Sequence, residues 1–351
     1  MVRVGKGLCP TTCSGAQRNT QPSAMNSSAI MKTIALEEHF VIPELVGYGA
    51  STGETQDPAA WNHMVDLLSD FLEKRIPTMD QGGLDMQVLS LNSPGIQAET
   101  DTQKAIHNAK LVNDFLKSLI AQHPTRFAGW AALPLQDPSA AADELERAVK
   151  DYGFCGANIN GHCLGKYLDH PDFDVVWERA AALDVPIYLH PAPAPDVPHV
   201  FQGHEELLGP IWGWGVDTGT QALRLIFGKV FDRHPTAKLI LGHMGELLPF
   251  SLWRFDSRWE RDTHNGIELD LGSPSEYVRR NIYITTSGVA SGQPLLASLL
   301  ALGADHILLG TDYPFEDVGV MIDFLKNAPI SEIDRAKIAH QNAEKILRIP
   351  A

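Results

Sequence analysis

The chain has little cysteine, a deficit of basic side chains and no long apolar run. Its four cysteines, Cys9, Cys13, Cys155 and Cys163, make no disulfide framework. No histidine or second cysteine pair stands near Cys9 and Cys13 to complete a zinc site, and a reducing, cytoplasmic location is expected. Lysine and arginine number 28 against 43 acidic residues, a net charge of −15. That balance excludes the basic footprint that nucleic-acid backbones require. No apolar stretch reaches the roughly 20 residues that cross a bilayer, so no membrane contact is expected. A GxGxxG turn after an early strand is also missing, which argues against a doubly wound dinucleotide-binding sheet.

Residues 1–30 lack any acidic side chain and are rich in Ser, Thr and Gly, with Arg3, Lys6 and Arg18 among them. They carry neither a secretory apolar core nor an amphipathic pattern, and read as a disordered leader. Structure is expected over residues 31–351 as one domain.

From Lys32 onward short apolar runs alternate with longer amphipathic ones. Strands are expected at Thr33–Leu36, Met86–Leu91, Phe127–Leu133, Phe154–Ile159, Val185–Leu189, Lys238–Leu241, Ile282–Thr285 and His306–Leu309. Helical patterns fall between them, at Thr102–Gln122, Pro138–Tyr152, Asp172–Leu183, Thr218–His234 and Gln293–Leu302. Eight uniformly apolar strands alternating with helices predict a parallel sheet covered on both faces, closed as a (β/α)8 TIM barrel. Insertions after strands 1 and 5, Gly49–Pro77 and Pro191–Trp214, are expected to lie over one mouth.

In such a barrel the chemistry sits at the carboxyl ends of the strands. Strand 1 delivers Glu37 and His39 there, strand 5 His190, strand 6 His243 with Glu246 three residues on, and strand 8 Asp312. A single histidine after an apolar run is usually a hydrogen-bonded core residue, but four strands converging on these types point to a divalent cation such as Zn2+ or Mn2+. Strand alternation turns Glu37 and His39 to the same side and Glu38 outward.

These segments, ALEEHF, LSLNSPGIQ, RFAGWAALPLQDP, YLHP, FDRHP, LGHMGELLPF, ITTSG and GTDYPFE, resemble in order those of the amidohydrolase superfamily. Within it the chain is similar to the metal-dependent, non-oxidative aromatic acid decarboxylases, over Met31 to the C-terminus. The resemblance implies one divalent metal (Zn2+, Mn2+ or Mg2+) held by Glu37, His39, His190 and Asp312, with His243 and Glu246 as a dyad beside it. It implies that Arg254 contacts substrate across a subunit interface of a homodimer or homotetramer, and that Asn160 and Phe315 line the pocket. Hydrolases of the superfamily usually begin strand 1 with His-x-His and often carry a strand 4 lysine that bridges two metals. Here strand 1 has Glu-x-His and FCGANINGH has no lysine, so a single metal is expected.

The implied reaction is decarboxylation of a small aromatic acid of the hydroxybenzoate type, run in either direction. The metal chelates the carboxylate and an ortho phenol oxygen, and Asp312 protonates the ring carbon, with His243 (paired with Glu246) as the alternative donor. Hydrolysis of a lactone or amide is the alternative reaction. The EEH triplet and DYPFE resemble the γ-resorcylate type, whereas NSPGIQ, INGH and TTSGVA lean toward the carboxyvanillate type. The loop TGETQDPAAWNHM carries no arginine to grip a second carboxylate, which favours a mono-carboxylate.

Overall fold

The computed structural model describes residues 31–49, 57–262 and 268–350. The leader expected over residues 1–30 lies outside them. Lys32–Ala351 form one compact unit, built on strands β1 (Ile34–Phe40), β2 (Met86–Leu91), β3 (Phe127–Gly129), β4 (Ala131–Ala132), β5 (Ala157–Asn160), β6 (Pro186–His190), β7 (Lys238–Leu241), β8 (Ile282–Thr285) and β9 (Ile307–Leu308). Every pairing between them is parallel.

β3 and β4 are halves of one stave, interrupted at Trp130, whose amide N–H donates to Leu89 O at 2.9 Å. The circle closes beside β1. Ala35 and Glu38 bridge in parallel to Leu309 and Tyr313, and the amides of Leu36, His39 and Asp312 donate to Leu309 O, Tyr313 O and Glu37 O at 3.0, 2.8 and 3.0 Å. Eight staves therefore form the barrel, with core residues such as Leu36, Val88, Tyr188 and Ile240 buried in its interior layers.

Three expected strands, Met86–Leu91, Lys238–Leu241 and Ile282–Thr285, and two helices, Thr102–Gln122 and Pro138–Tyr152, fall at the expected boundaries. The helix ends follow from capping chemistry. The Asp101 carboxylate accepts from Lys104 N, and the Asp137 carboxylate from the amides of Ser139 and Ala140. Gly153, at φ 73°, ends the second helix in the left-handed cap that only glycine adopts freely.

The first strand departs from expectation. It does not stop at Leu36 but runs to Phe40, with Glu37, Glu38 and His39 buried in mid-strand. Glu38 does face outward from the barrel, yet it meets a polar layer under the helices rather than water. Its carboxylate accepts from Thr311 N (2.8 Å), Thr311 Oγ1 (2.7 and 2.8 Å) and Gln87 Nε2 (2.8 Å). Burial nevertheless pushes its carboxyl up to about 8. Arg75, also buried, begins the helix Arg75–Gly82 and donates to His39 O (2.5 Å), Gln87 Oε1 (3.1 Å) and Asp70 O (3.2 Å). Its guanidinium lies 4.5 Å from the Tyr313 ring centre. One network thus spans β1, β2 and the segment after β9.

The seam makes Arg75 a structural cation. Arg75→Ala is expected to destabilise the fold by about 3–5 kcal/mol, because it strands buried acceptors that Arg75 now satisfies. Urea denaturation measures the loss, and a change under about 1 kcal/mol would dismiss the network's role.

Candidate metal centre and cavity

Glu37 and His39 leave β1 on its interior side, and His190 is the last residue of β6. One ligand atom from each lies within 4.8 Å of the others. His39 Nδ1 is 3.2 Å from Ser90 Oγ, which turns Nε2 toward the cluster. The His39 and His190 rings meet edge to face at 4.6 Å. Asp312 Oδ1 is 3.3 Å from His39 Nε2. Glu37 Oε1 faces two imidazoles, His243 Nε2 at 3.3 Å and His190 Nε2 at 3.4 Å.

The cluster fits a divalent cation. Glu37 Oε1 and His39 Nε2 are buried without a hydrogen-bond partner, although buried polar atoms are nearly always satisfied. Burial, with His39 beside it, pushes His190 down to about 3, leaving a neutral ring with a lone pair to offer. Burial works against the Glu37 carboxylate, but His243, His190 and His39 outweigh it and hold Glu37 well below the usual carboxylate range. An anionic carboxylate beside a neutral imidazole is the donor chemistry that Zn2+ and Mn2+ accept.

His243 and Glu246 are placed by an unusual backbone. His243, Met244, Gly245, Glu246 and Leu247 all have left-handed φ, at 47, 56, 76, 50 and 70°. For the four non-glycine residues this costs about 1–2 kcal/mol each. The turn is seated on the helix Gly213–Phe227, where a Cβ on Gly219 would lie 2.7 Å from Glu246 O and one on Gly215 2.9 Å from Glu246 Oε2. The dyad expected to be hydrogen-bonded is not: His243 contacts Glu37, while Glu246 Oε1 is buried without a partner. Burial pushes Glu246 up to about 7; burial also opposes charge on His243, but Glu37 and Glu246 overcome it and raise its pKa well above the usual value. Asp312 is likewise left-handed, at φ 65°, anchored by its amide on Glu37 O and by the Thr311–Glu38 bonds immediately before it.

These groups open into two adjoining cavities of about 310 and 370 Å3, which share Pro210, Trp214, His243, Asp312 and Glu316. Both insertions contribute walls: Ala60, Trp61 and Met64 from the first, Pro210, Ile211, Trp212 and Trp214 from the second. Phe315 lines the second cavity and meets the His39 ring edge to face at 5.6 Å. No lysine or arginine lines either cavity among the described residues.

Two expected residues lie elsewhere. Asn160 is buried at the end of β5 and lines a separate recess of about 190 Å3 with Gln97 and His162. Arg254 is exposed on the helix Leu248–Asp262 and lines neither cavity. Conversely, sequence reading passed over Tyr188, Thr285, Trp61 and Glu316. Tyr188 was accessible to it, since a residue two before His190 on a strand shares its face.

The amidohydrolase family model matches residues 55–349. The γ-resorcylate decarboxylase of Polaromonas sp. (strain JS666 / ATCC BAA-500) is 42% identical over 325 residues, covering 90% of this chain and 98% of that protein. A crystal structure of dihydroxybenzoic acid decarboxylase from Polaromonas sp. JS666, with bound manganese and the inhibitor 2-nitroresorcinol, is 40% identical with a TM-score of 0.81, covering 90% and 97%. That of 5-carboxyvanillate decarboxylase from Sphingomonas paucimobilis is 36% identical with a TM-score of 0.85, covering 91% and 100%.

Close packing at the site yields a test. Gly288 has φ +63°, and a Cβ there would stand 3.0 Å from His243 Nδ1 and 3.1 Å from Asp312 Oδ2. Gly288→Ala is expected to lower turnover by roughly 100-fold through misplacement of these groups, with a stability loss of only about 1 kcal/mol. Steady-state kinetics beside a thermal melt separates the two effects, and unchanged turnover would show that His243 and Asp312 tolerate displacement.

Proposed function

The chain belongs to the amidohydrolase family and is a metal-dependent decarboxylase, a carbon–carbon lyase; from that premise we propose that its substrate is a mono-carboxylate hydroxybenzoate with a hydroxyl ortho to the carboxylate. The observation that carries this reading is the cradle of unpartnered donors opening into an aromatic cavity without lysine or arginine. Such walls suit one flat ring whose carboxylate is met at the cradle, and offer no lysine or arginine to a second carboxylate. The names of its relatives, which act on dihydroxybenzoates and carboxyvanillate, support the aromatic class.

Glu37, His39, His190 and Asp312 would hold the cation. When bound, it supplies chelation of the substrate carboxylate and ortho oxygen, with stabilisation of charge on oxygen. Trp61, Trp214 and Phe315 pack around the ring and exclude water. Asp312, at the cavity wall, gives its carboxyl proton to the ring carbon that bears the carboxylate. The electron pair of the carbon–carboxylate bond then returns to the ring as CO2 leaves, and Asp312 takes up a proton again. His243 is the competing donor, since Glu37 and Glu246 favour its protonated form. Free, buried Cys155 and Cys163 are compatible with the cytoplasmic location proposed for the protein.

The primary experiment measures CO2 release from 2,6-dihydroxybenzoate beside hydrolysis of an aryl lactone, with metal content by elemental analysis. Decarboxylation with one metal per chain is expected; lactone hydrolysis with two metals would replace this reading. In metal-loaded protein, Asp312→Asn should lose about 100- to 10,000-fold in rate, the range for a missing general acid. Solvent deuterium incorporation into product discriminates the donors: if Asp312→Asn still exchanges and His243→Ala does not, the donor is His243.

Assembly as a homodimer or homotetramer is the companion proposal. The helix that carries Arg254 exposes Phe250 and Trp253, 57% and 77% accessible, and large exposed aromatic side chains are typical of contact surfaces. Light scattering should find no monomer at micromolar concentration, and Arg254→Ala should raise KM if a partner supplies that guanidinium. A fully active monomer would remove both statements.

A further inference from the structure

Beneath the cradle, one oxygen of Glu37 is treated differently from the other. Oε1 faces His190 and His243 and has no hydrogen-bond partner. Oε2 is enclosed. The Tyr188 hydroxyl donates to it in a short hydrogen bond, and Thr285 Oγ1 donates to it at 3.4 Å. These two hydroxyls also lie 3.1 Å from each other. On a further side the backbone of Gly242 comes so near that a Cβ there would stand 2.5 Å from Oε2.

Tyr188 has no other place to go. It is 1% exposed, and its ring meets the edge of Trp130 at 5.7 Å. The Trp130 indole N–H in turn donates to Leu36 O at 2.9 Å, the carbonyl immediately before Glu37. Strand alternation gives Tyr188 the same inward face as His190 two residues later. The chain therefore builds a donor cap on one carboxylate oxygen from the same strand that supplies a neighbouring ligand.

We propose that Tyr188, with Thr285, is a positioning residue that confines Glu37 to a single metal-ligating oxygen, Oε1, and so keeps a metal position open for substrate. A carboxylate can ligate through one or both oxygens, and its outer hydrogen bonds decide how it is presented. With the Tyr188 donor in place, Oε2 is occupied and walled off. Without it, a buried carboxylate oxygen loses its main partner, which is costly in a dry site, and turning toward the cation relieves that cost. The extra bond would take a position that a chelating hydroxybenzoate needs. This inference rests on the cradle being the metal site.

The test uses full-length protein loaded with Mn2+ alone, and counts exchangeable water on the bound ion by water-proton relaxation. Wild type should bind one Mn2+; if it binds none, the reading of the cradle fails, independently of Tyr188. Tyr188→Phe should still bind Mn2+ with affinity within about threefold of wild type, but with one fewer exchangeable water. An unchanged water count overturns the proposal, whatever the affinity. So does loss of Mn2+ binding, or a 10- to 100-fold weakening at constant hydration, the usual result of losing ligand orientation alone. Should Tyr188→Phe fail to fold, Thr285→Val removes the other donor and is judged by the same count, with a fractional drop expected and no drop overturning the proposal.

Discussion

Burying three ionisable side chains in succession on one strand is the constraint from which the rest of the molecule follows. Inside a protein an unpaired charge is far more expensive than in water, so each of Glu37, Glu38 and His39 must find partners in the layer it faces. Inward, Glu37 meets imidazoles and the hydroxyls of Tyr188 and Thr285, while His39 meets Ser90 and Asp312. Outward, Glu38 binds Thr311 and Gln87, beside the buried Arg75. Because Thr311 precedes Asp312, the outward network also fixes the inward one. Barrel closure and site geometry are therefore two results of a single polar seam.

The second organising feature is backbone held where side chains rarely allow it. Left-handed conformations at His243, Met244, Glu246, Leu247 and Asp312 gather at the mouth, and such residues persist only where surrounding packing over-determines them. Gly215 and Gly219 admit the turn from one side, and Gly288 admits His243 and Asp312 from another. Absence of side-chain carbon at these positions is as much a part of the site as the side chains it accommodates.

Much of this was legible in the sequence. Apolar runs placed β2, β7 and β8, and amphipathic patterns placed the helices Thr102–Gln122 and Pro138–Tyr152, since both signals are local. The ends of the strands also located Glu37, His39, His190, His243 and Asp312 together. What escaped was non-local. The charged triplet looked like a strand running out into loop, because Thr311, the partner that allows Glu38 to be buried, lies 273 residues away. Trp130 interrupts its stave, and no local pattern signals that its indole must reach Leu36 O. The His243–Glu246 pair was what the family resemblance implied, but the left-handed turn between them directs the imidazole to Glu37 instead.

The walls of the cavity bear on the last stage of turnover. An aromatic acid and the phenol it becomes differ by one negative charge, and release depends on how strongly the site holds that difference. Fixed guanidinium or ammonium groups would bind the incoming anion firmly and would also retain any anionic by-product such as bicarbonate. Here the described lining offers indole and phenyl faces with Asp312, Glu246 and Glu316 among them. For the hydroxybenzoate proposed above, loss of the carboxylate as a neutral gas would leave a phenol met by no lysine or arginine on the described walls. The departing phenol would break no ion pair with a lysine or arginine, and the faces of Trp61, Trp214 and Phe315 would contribute to its residence time.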